Sequence, residues 1–164
     1  MRTLVLFAAA IVTGTWPFQA SAAVIVNFIQ PEHYTDAGPQ GQDRTRNLNE
    51  IERTFQKLGE HYLSADQILT IDVLDVDLAG RLEPWHANAY DVRYLRDITW
   101  PRMKLRDTLE TPSQPPQSAE EILSDPSYLE SPNTRFSGEP LAYDKAMIER
   151  WFHARFVEHR PPHH

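Results

Sequence analysis

From Ala23 to Ile29 every position except Asn27 is apolar, with Val24, Val26 and Phe28 on one face and Ile25 and Ile29 on the other. This pattern predicts a strand covered on both faces, ended by Pro31. Glu32 to Arg46 is rich in Gly, Asp, Gln and Pro and reads as a loop. Asn47 followed by Glu50 has the form of a capping box. Leu48, Ile51, Phe55, Leu58 and Tyr62 then recur at spacings of three and four, the stripe of an amphipathic helix. Gln67 to Asp77 alternates again. Ile68, Thr70, Asp72, Leu74 and Val76 fall on one face, and Leu69, Ile71, Val73, Asp75 and Asp77 on the other. The order strand, helix, strand permits a right-handed parallel crossover.

Gly80 closes that run, and Arg81 to Trp100 shows no period while carrying Trp85, Tyr90, Tyr94 and Trp100. Past Pro101, Met103, Leu105 and Leu109 alternate with Arg102, Lys104 and Arg106, as in a strand with one wet face. Thr111 to Gln117 is a turn. Ala119 to Ser124 fits either a helix capped by Ser118 and Glu121 or the return arm of a hairpin, and is assigned as a strand. Pro140 opens a last helix whose apolar face is Met147, Ile148, Trp151, Phe152 and Phe156. The expected architecture is α+β, a single mixed sheet of about four strands with two amphipathic helices packed on one face. It occupies residues 23–158 as one domain, and 159–164, with its two prolines, is a flexible tail.

The N-terminus follows a different logic. Met1 and Arg2 give a basic start, Leu4 to Val12 is unbroken apolar chain, and Ala20-Ser21-Ala22 supplies small residues. That layout is a cleavable secretory signal peptide cut before Ala23. The apolar run is far short of the roughly 20 residues of a bilayer span, so no transmembrane anchor is expected after cleavage. With no Cys near the cut, a lipid-modified anchor is excluded. Removing 22 residues leaves 142, with 15 basic and 23 acidic side chains and a net charge of −8. An exported chain of this acidity without cysteine suits a bacterial periplasm, and its charge argues against nucleic acid as a partner.

Four stretches together resemble one family. They are Asp75-Val76-Asp77-Leu78-Ala79-Gly80, Arg96-Asp97-Ile98-Thr99-Trp100-Pro101-Arg102, Ser124-Asp125 with Tyr128, and the helix from Pro140-Leu141 to Trp151-Phe152. The family is that of domain of unknown function 3016, small exported bacterial proteins, and the resemblance runs from about Val24 to Phe156. It implies an exported single-domain protein, favours the strand assignment for Ala119 to Ser124, and carries over no catalytic, cofactor or metal residue.

Among the residues that could carry chemistry, Asp72, Asp75 and Asp77 stand out. Asp75 and Asp77, two apart on a strand, point the same way and could hold a hard cation or form an acid/base pair. The bland alternative is that they cap the turn at Leu78-Ala79-Gly80 or pair with Arg93 and Arg96. Trp85 and Trp100 could be platforms for a sugar ring or peptide, with Arg96 and Asp97 as the polar anchor. Otherwise they are lids on the core and Arg96 is a counter-ion. Arg102, Lys104 and Arg106 could face an anionic polymer or lipid headgroup, or pair across the sheet with Glu110, Glu120 or Glu121. His33, His61, His86 and His153 are scattered without a metal motif, and a metal-scavenging tail would rest on His159, His163 and His164 alone. Neither a nucleophile motif nor a phosphate loop is present.

The expected function is a non-catalytic periplasmic module that binds another envelope protein or a cell-wall component. Its binding residues would be Asp75, Asp77, Trp85, Arg96, Asp97, Trp100 and Arg102, with no catalytic or metal residue and no cofactor. The competing reading is a metal-assisted hydrolase built on Asp75, Asp77 and Asp97 with a histidine, which requires those groups to meet in an open cleft.

Overall fold

A computed structural model describes residues 22–83, 85, 92–131 and 138–162. The expected signal peptide up to Ser21, together with His86, Tyr90, His163 and His164, lies outside the described residues.

The alternating segments form one mixed sheet of four strands in the order β1-β2-β5-β6. β1 (Ala23–Phe28) runs parallel to β2 (Ile68–Asp77), and the connection between them is α1 (Gln42–Tyr62). β5 (Arg102–Glu110) returns antiparallel to β2, and β6 (Gln117–Ser124) completes a hairpin with β5. Residues 119–124 are therefore strand, as expected. Between β2 and β5 lies a short ribbon of β3 (Arg81–Leu82) and β4 (Arg93–Tyr94), in a segment whose sequence shows no period. α2 (Ala142–Phe152) follows and widens into a π-turn over His153–Val157.

Both helices pack on one face of the sheet. Leu69, Ile71, Val73 and Val76 of β2, Met103 and Leu105 of β5 and Leu123 of β6 meet Leu48, Ile51, Phe55 and Leu58 of α1 and Met147, Ile148 and Phe152 of α2. Only this face is sealed. Ile25 and Ile29 are exposed, so β1 is not covered on both faces: it is an edge strand with helices on one side only. Tyr62, expected on the buried stripe of α1, is exposed at its end and rests against His61, Phe152 and His153.

Three local readings change. α1 starts at Gln42, ahead of the expected cap at Asn47, because Asn47 sends its side-chain amide to the Ala37 carbonyl at 3.1 Å instead of capping a helix end. Residues 31–41 are a loop, but a fixed one, with Arg44 donating to the carbonyls of Pro31 and Gly38. In β2 the alternation does not run unbroken to Asp77. Pairing with β5 goes from Val73↔Leu105 to Asp75↔Lys104, leaving Leu74 as a bulge. That one extra residue reverses the phase. Val76 turns into the core beside Met103, while Asp75 and Asp77 join Asp72 on the open face.

The far side of the core holds a buried ion cluster. Arg155, aimed inward by the π-turn, lies 3.2 Å from Asp107 of β5 and 3.3 Å from Glu121 of β6. Burial, opposed by Arg155, raises the Asp107 carboxyl above its ordinary value. Glu121 thus serves the helix-covered face, and only Glu120 crosses to the basic row, at 2.8 Å from Lys104 and 2.9 Å from Arg106.

α1 reaches β1 through Gly59, where a Cβ would stand 2.0 Å from Val24 Cγ2. Helix propensity alone would favour Gly59→Ala by about 1 kcal/mol. The overlap reverses the sign, so this variant is expected to lose about 1–3 kcal/mol in chemical denaturation, and Val24→Ala in the same chain should recover part of the loss.

Candidate functional site

The segments that carry the family resemblance converge at one end of the sheet, where β2 runs out. The turn Leu78-Ala79-Gly80 is held from several directions. Arg93, from β4, donates Nε to the Ala79 carbonyl at 2.9 Å and Nη2 to the carbonyls of Leu78 and Gly80 at 3.1 and 2.8 Å. Asp144, in the first turn of α2, accepts the Ala79 amide at 3.1 Å. Gly80 gives its amide to Thr99 and sits at φ +76°, with the Tyr94 carbonyl 2.8 Å from where a Cβ would be. Only glycine fits there.

The same arginine begins a row of alternating charge. Arg93 Nη2 meets Asp36 at 2.7 Å, and Arg81 Nη1 lies 3.2 Å from Asp36 and 2.7 Å from Asp77. Arg102 Nη2 reaches the other oxygen of Asp77 at 3.1 Å, and its guanidinium stands 5.0 Å from the ring centroid of Trp100. Asp36 is placed by the backbone. Its amide donates to Val76 and its carbonyl accepts from Leu78, so residue 36 continues the sheet edge where β1 has left it. Tyr34 secures that detour with a hydroxyl bond to the Val73 carbonyl at 2.7 Å, and burial holds its phenol in the protonated form, above the ordinary value.

The second motif is built onto this end. Arg96 to Thr99 form a turn in which the Arg96 carbonyl accepts from the Thr99 amide, the Thr99 hydroxyl and, at 2.7 Å, the buried Tyr128 hydroxyl. Trp100 is half-buried and donates its indole N–H to Ser124 Oγ at 3.1 Å. The Asp125 amide donates to the Pro101 carbonyl, and its carboxylate pairs with Arg150 of α2. Arg96 Nη2 reaches the buried Glu83 at 2.6 Å.

The expected site residues are therefore brought together only in part. Asp77, Arg102 and Trp100 form one continuous contact, and Arg96 flanks it. Asp75 is occupied by the Thr35 amide and hydroxyl at 2.7 and 2.8 Å. Asp97 lies exposed on the Arg96–Thr99 turn and is in neither partner set. None of the clefts of 500, 430, 470 and 450 Å³ is lined by Asp75, Asp77 or Asp97. Among the described residues, no three His, Cys, Asp or Glu side chains group so as to hold a metal ion. The hydrolase reading loses its geometry here. The counter-ions also differ from expectation, since Arg93 serves Asp36 and Arg96 serves Glu83, while Arg81 and Arg102 hold Asp77. Trp85 is no core lid: it is 74% exposed.

Asp36, Arg81, Glu83 and Asp144 escaped the reading of the sequence. Nothing in their spacing signals that loop, ribbon and helix side chains share one turn. Their electrostatics follow from that sharing. Burial pushes the Asp36 carboxyl up, but Arg93, the Gly38 amide and Arg81 together outweigh it and hold the group below its ordinary value. The hydrogen bond to Asp77 is the chief cause raising Arg81. Among the described residues Asp144 makes no ion pair, and burial lifts it to about 7.

Residues 22–154 match the family described as protein of unknown function (DUF3016). The chain belongs to the DUF3016 family. No curated protein matches it. For this DUF3016 protein, all four stretches of family resemblance prove to be parts of one knot around the end of β2 or of the helix that braces it.

Two outcomes follow from this geometry. Arg93→Lys removes the planar fork that spans three carbonyls and Asp36, and is expected to cost about 2–4 kcal/mol in urea unfolding. Asp144 binds its proton up to about pH 7 when folded, whereas in the unfolded chain it titrates near pH 4 (about 3.9). Its contribution to stability is therefore complete below about pH 4 and falls as pH rises toward 7. Asp144→Asn, which keeps an acceptor for the Ala79 amide, should flatten that decline when melting is followed across this window.

Proposed function

We propose that this DUF3016 protein is a non-catalytic binding module of the cell envelope, exported to the periplasm by removal of Met1–Ala22, and that its docking surface is the β3–β4 ribbon with the Arg96–Thr99 turn. One observation carries the reading. Exposed large apolar side chains concentrate in this short segment, where Trp85 and Ile98 are 74% and 70% exposed and Val92 and Leu95 accompany them. Scattered apolar residues need no explanation, but several on one protruding element suit a partner.

The support beneath them favours the same reading. The ribbon is fastened by Arg93 to three backbone carbonyls and by Arg96 to Glu83, so its apolar side chains are presented from a fixed base. The export part rests on the basic start, apolar run and small residues before Ala23. A cut there falls at the first residue of β1 and leaves the sheet whole. Among the described residues no helix is long and apolar enough to cross a membrane.

The test is affinity capture from periplasmic extract with the exported form, compared with Trp85→Ser and Ile98→Ser. Both side chains are exposed, so the variants should melt within about 0.5 kcal/mol of the parent. A specific partner is expected to be retained by the parent and lost by at least about tenfold from each variant, a loss in the range of interface anchor residues. Equal retention by all three would remove the ribbon from the interface.

A further inference from the structure

We infer that the partner segment recognised by this surface is an acidic peptide, one that alternates carboxylate and apolar side chains; this rests on the docking surface proposed above. The chain as a whole is acidic, at −7. Its docking end is layered the other way. The carboxylates lie at the bottom, with the side chains of Asp77 and Glu83 only 4% and 6% exposed, and the guanidiniums lie on top, with Arg81, Arg96 and Arg102 at 40%, 52% and 48%. Buried anions fix these cations in place and leave their outer sides to solvent.

The donors not used inward define the chemistry of the ligand. Arg81 meets its carboxylates through Nη1, and Arg96 and Arg102 meet theirs through Nη2. A guanidinium has five N–H donors in a planar fork, and among the described residues the other terminal nitrogen of each makes no ion pair and so can take a carboxylate oxygen. The three are linked in space. Arg81 and Arg102 share Asp77, while Glu83, two residues beyond Arg81 in the chain, holds Arg96. A peptide laid along this row would set carboxylates against the arginines and apolar side chains against Trp85, Leu95, Ile98 and the Trp100 ring. A purely anionic polymer would leave the apolar side chains without a counterpart. Asp97, exposed on the same turn, is the group that opposes an anion.

The inference is tested with a fluorescein-labelled peptide of alternating Glu and Leu, followed by anisotropy on the exported form. Its controls are the same peptide with Gln for Glu, polyglutamate, and vesicles of phosphatidylglycerol. The Glu peptide is expected to bind at least about tenfold more tightly than the Gln peptide, the worth of a single charge-assisted hydrogen bond. Its affinity should fall steeply between about 50 and 500 mM salt. Arg96→Gln should weaken it by at least about fivefold, Arg96→Lys by less, and Asp97→Asn should strengthen it, as charge-assisted pairing and its removal of a like charge require. Should loss of its counter-ion leave Glu83 disturbing the fold of Arg96→Gln, the double variant Arg96→Gln/Glu83→Gln answers the same question. Equal binding of the Gln peptide, indifference to Arg96, or tighter binding of polyglutamate or the vesicles would overturn the inference. If Trp85→Ser and Ile98→Ser still lose the captured partner while the Glu peptide fails to bind, the acidic ligand falls and the docking surface stands.

Discussion

The guanidinium of Arg93 is the fixed point of this molecule. It closes the turn after β2 by gathering three successive carbonyls, neutralises Asp36, and in doing so fastens the ribbon to the sheet. The buried Leu78 and Ala79 carbonyls would otherwise lose water at the sheet's end without a partner, which is costly. The Ala79 residue is gripped on both sides, its amide by Asp144 and its carbonyl by Arg93. Sheet, ribbon and second helix are thereby joined through one backbone turn, and the side chains displayed outside it inherit that rigidity.

The bulge at Leu74 is the second constraint, because it decides what each face of the sheet is made of. Without it, Asp75 and Asp77 would face the helices with the core residues. With it, Asp72, Asp75 and Asp77 of β2 stand across from Arg106, Lys104 and Arg102 of β5. An open sheet face thus sets acid opposite base across the two strands while the opposite face is apolar. The bulge also coincides with the place where β1 departs and Asp36 takes over the edge, with the Val73 carbonyl accepting from both the Ile29 amide and the Tyr34 hydroxyl.

What was legible in the sequence was periodic and local. The apolar stripe of α1 and the alternation of β5 announce themselves within one element each, the arm β6 is assigned as strand over an equally open helical reading, and the mixed α+β sheet follows from their order. What was hidden depends on pairs far apart in the chain or on a break in period that changes no residue type. Leu74 is an apolar residue in an apolar run, so the bulge leaves no mark. Asp36 and Arg93 are 57 residues apart, and Asp144 is 65 from the amide it accepts. Of the candidate site, Asp77, Arg102, Trp100 and Arg96 were found by motif, yet their partners were misassigned because the loop at 32–46 and the segment at 81–100 gave no pattern to place Asp36 and Arg81. The exposure of Ile25 and Ile29 was missed for a simpler reason: a short apolar strand reads alike whether it lies at the edge or the centre of a sheet.

The parallel seating of β1 carries a consequence for how the chain assembles. Ala23 pairs with Ile68 across 45 intervening steps of chain, whereas β5 and β6 meet through a tight connection. Closing the larger loop costs more entropy and brings no reward until α1 is formed and β2 is in position. The strand that comes first in the polypeptide is thus among the last to be seated, and the meander of β2, β5 and β6 offers the template onto which it closes.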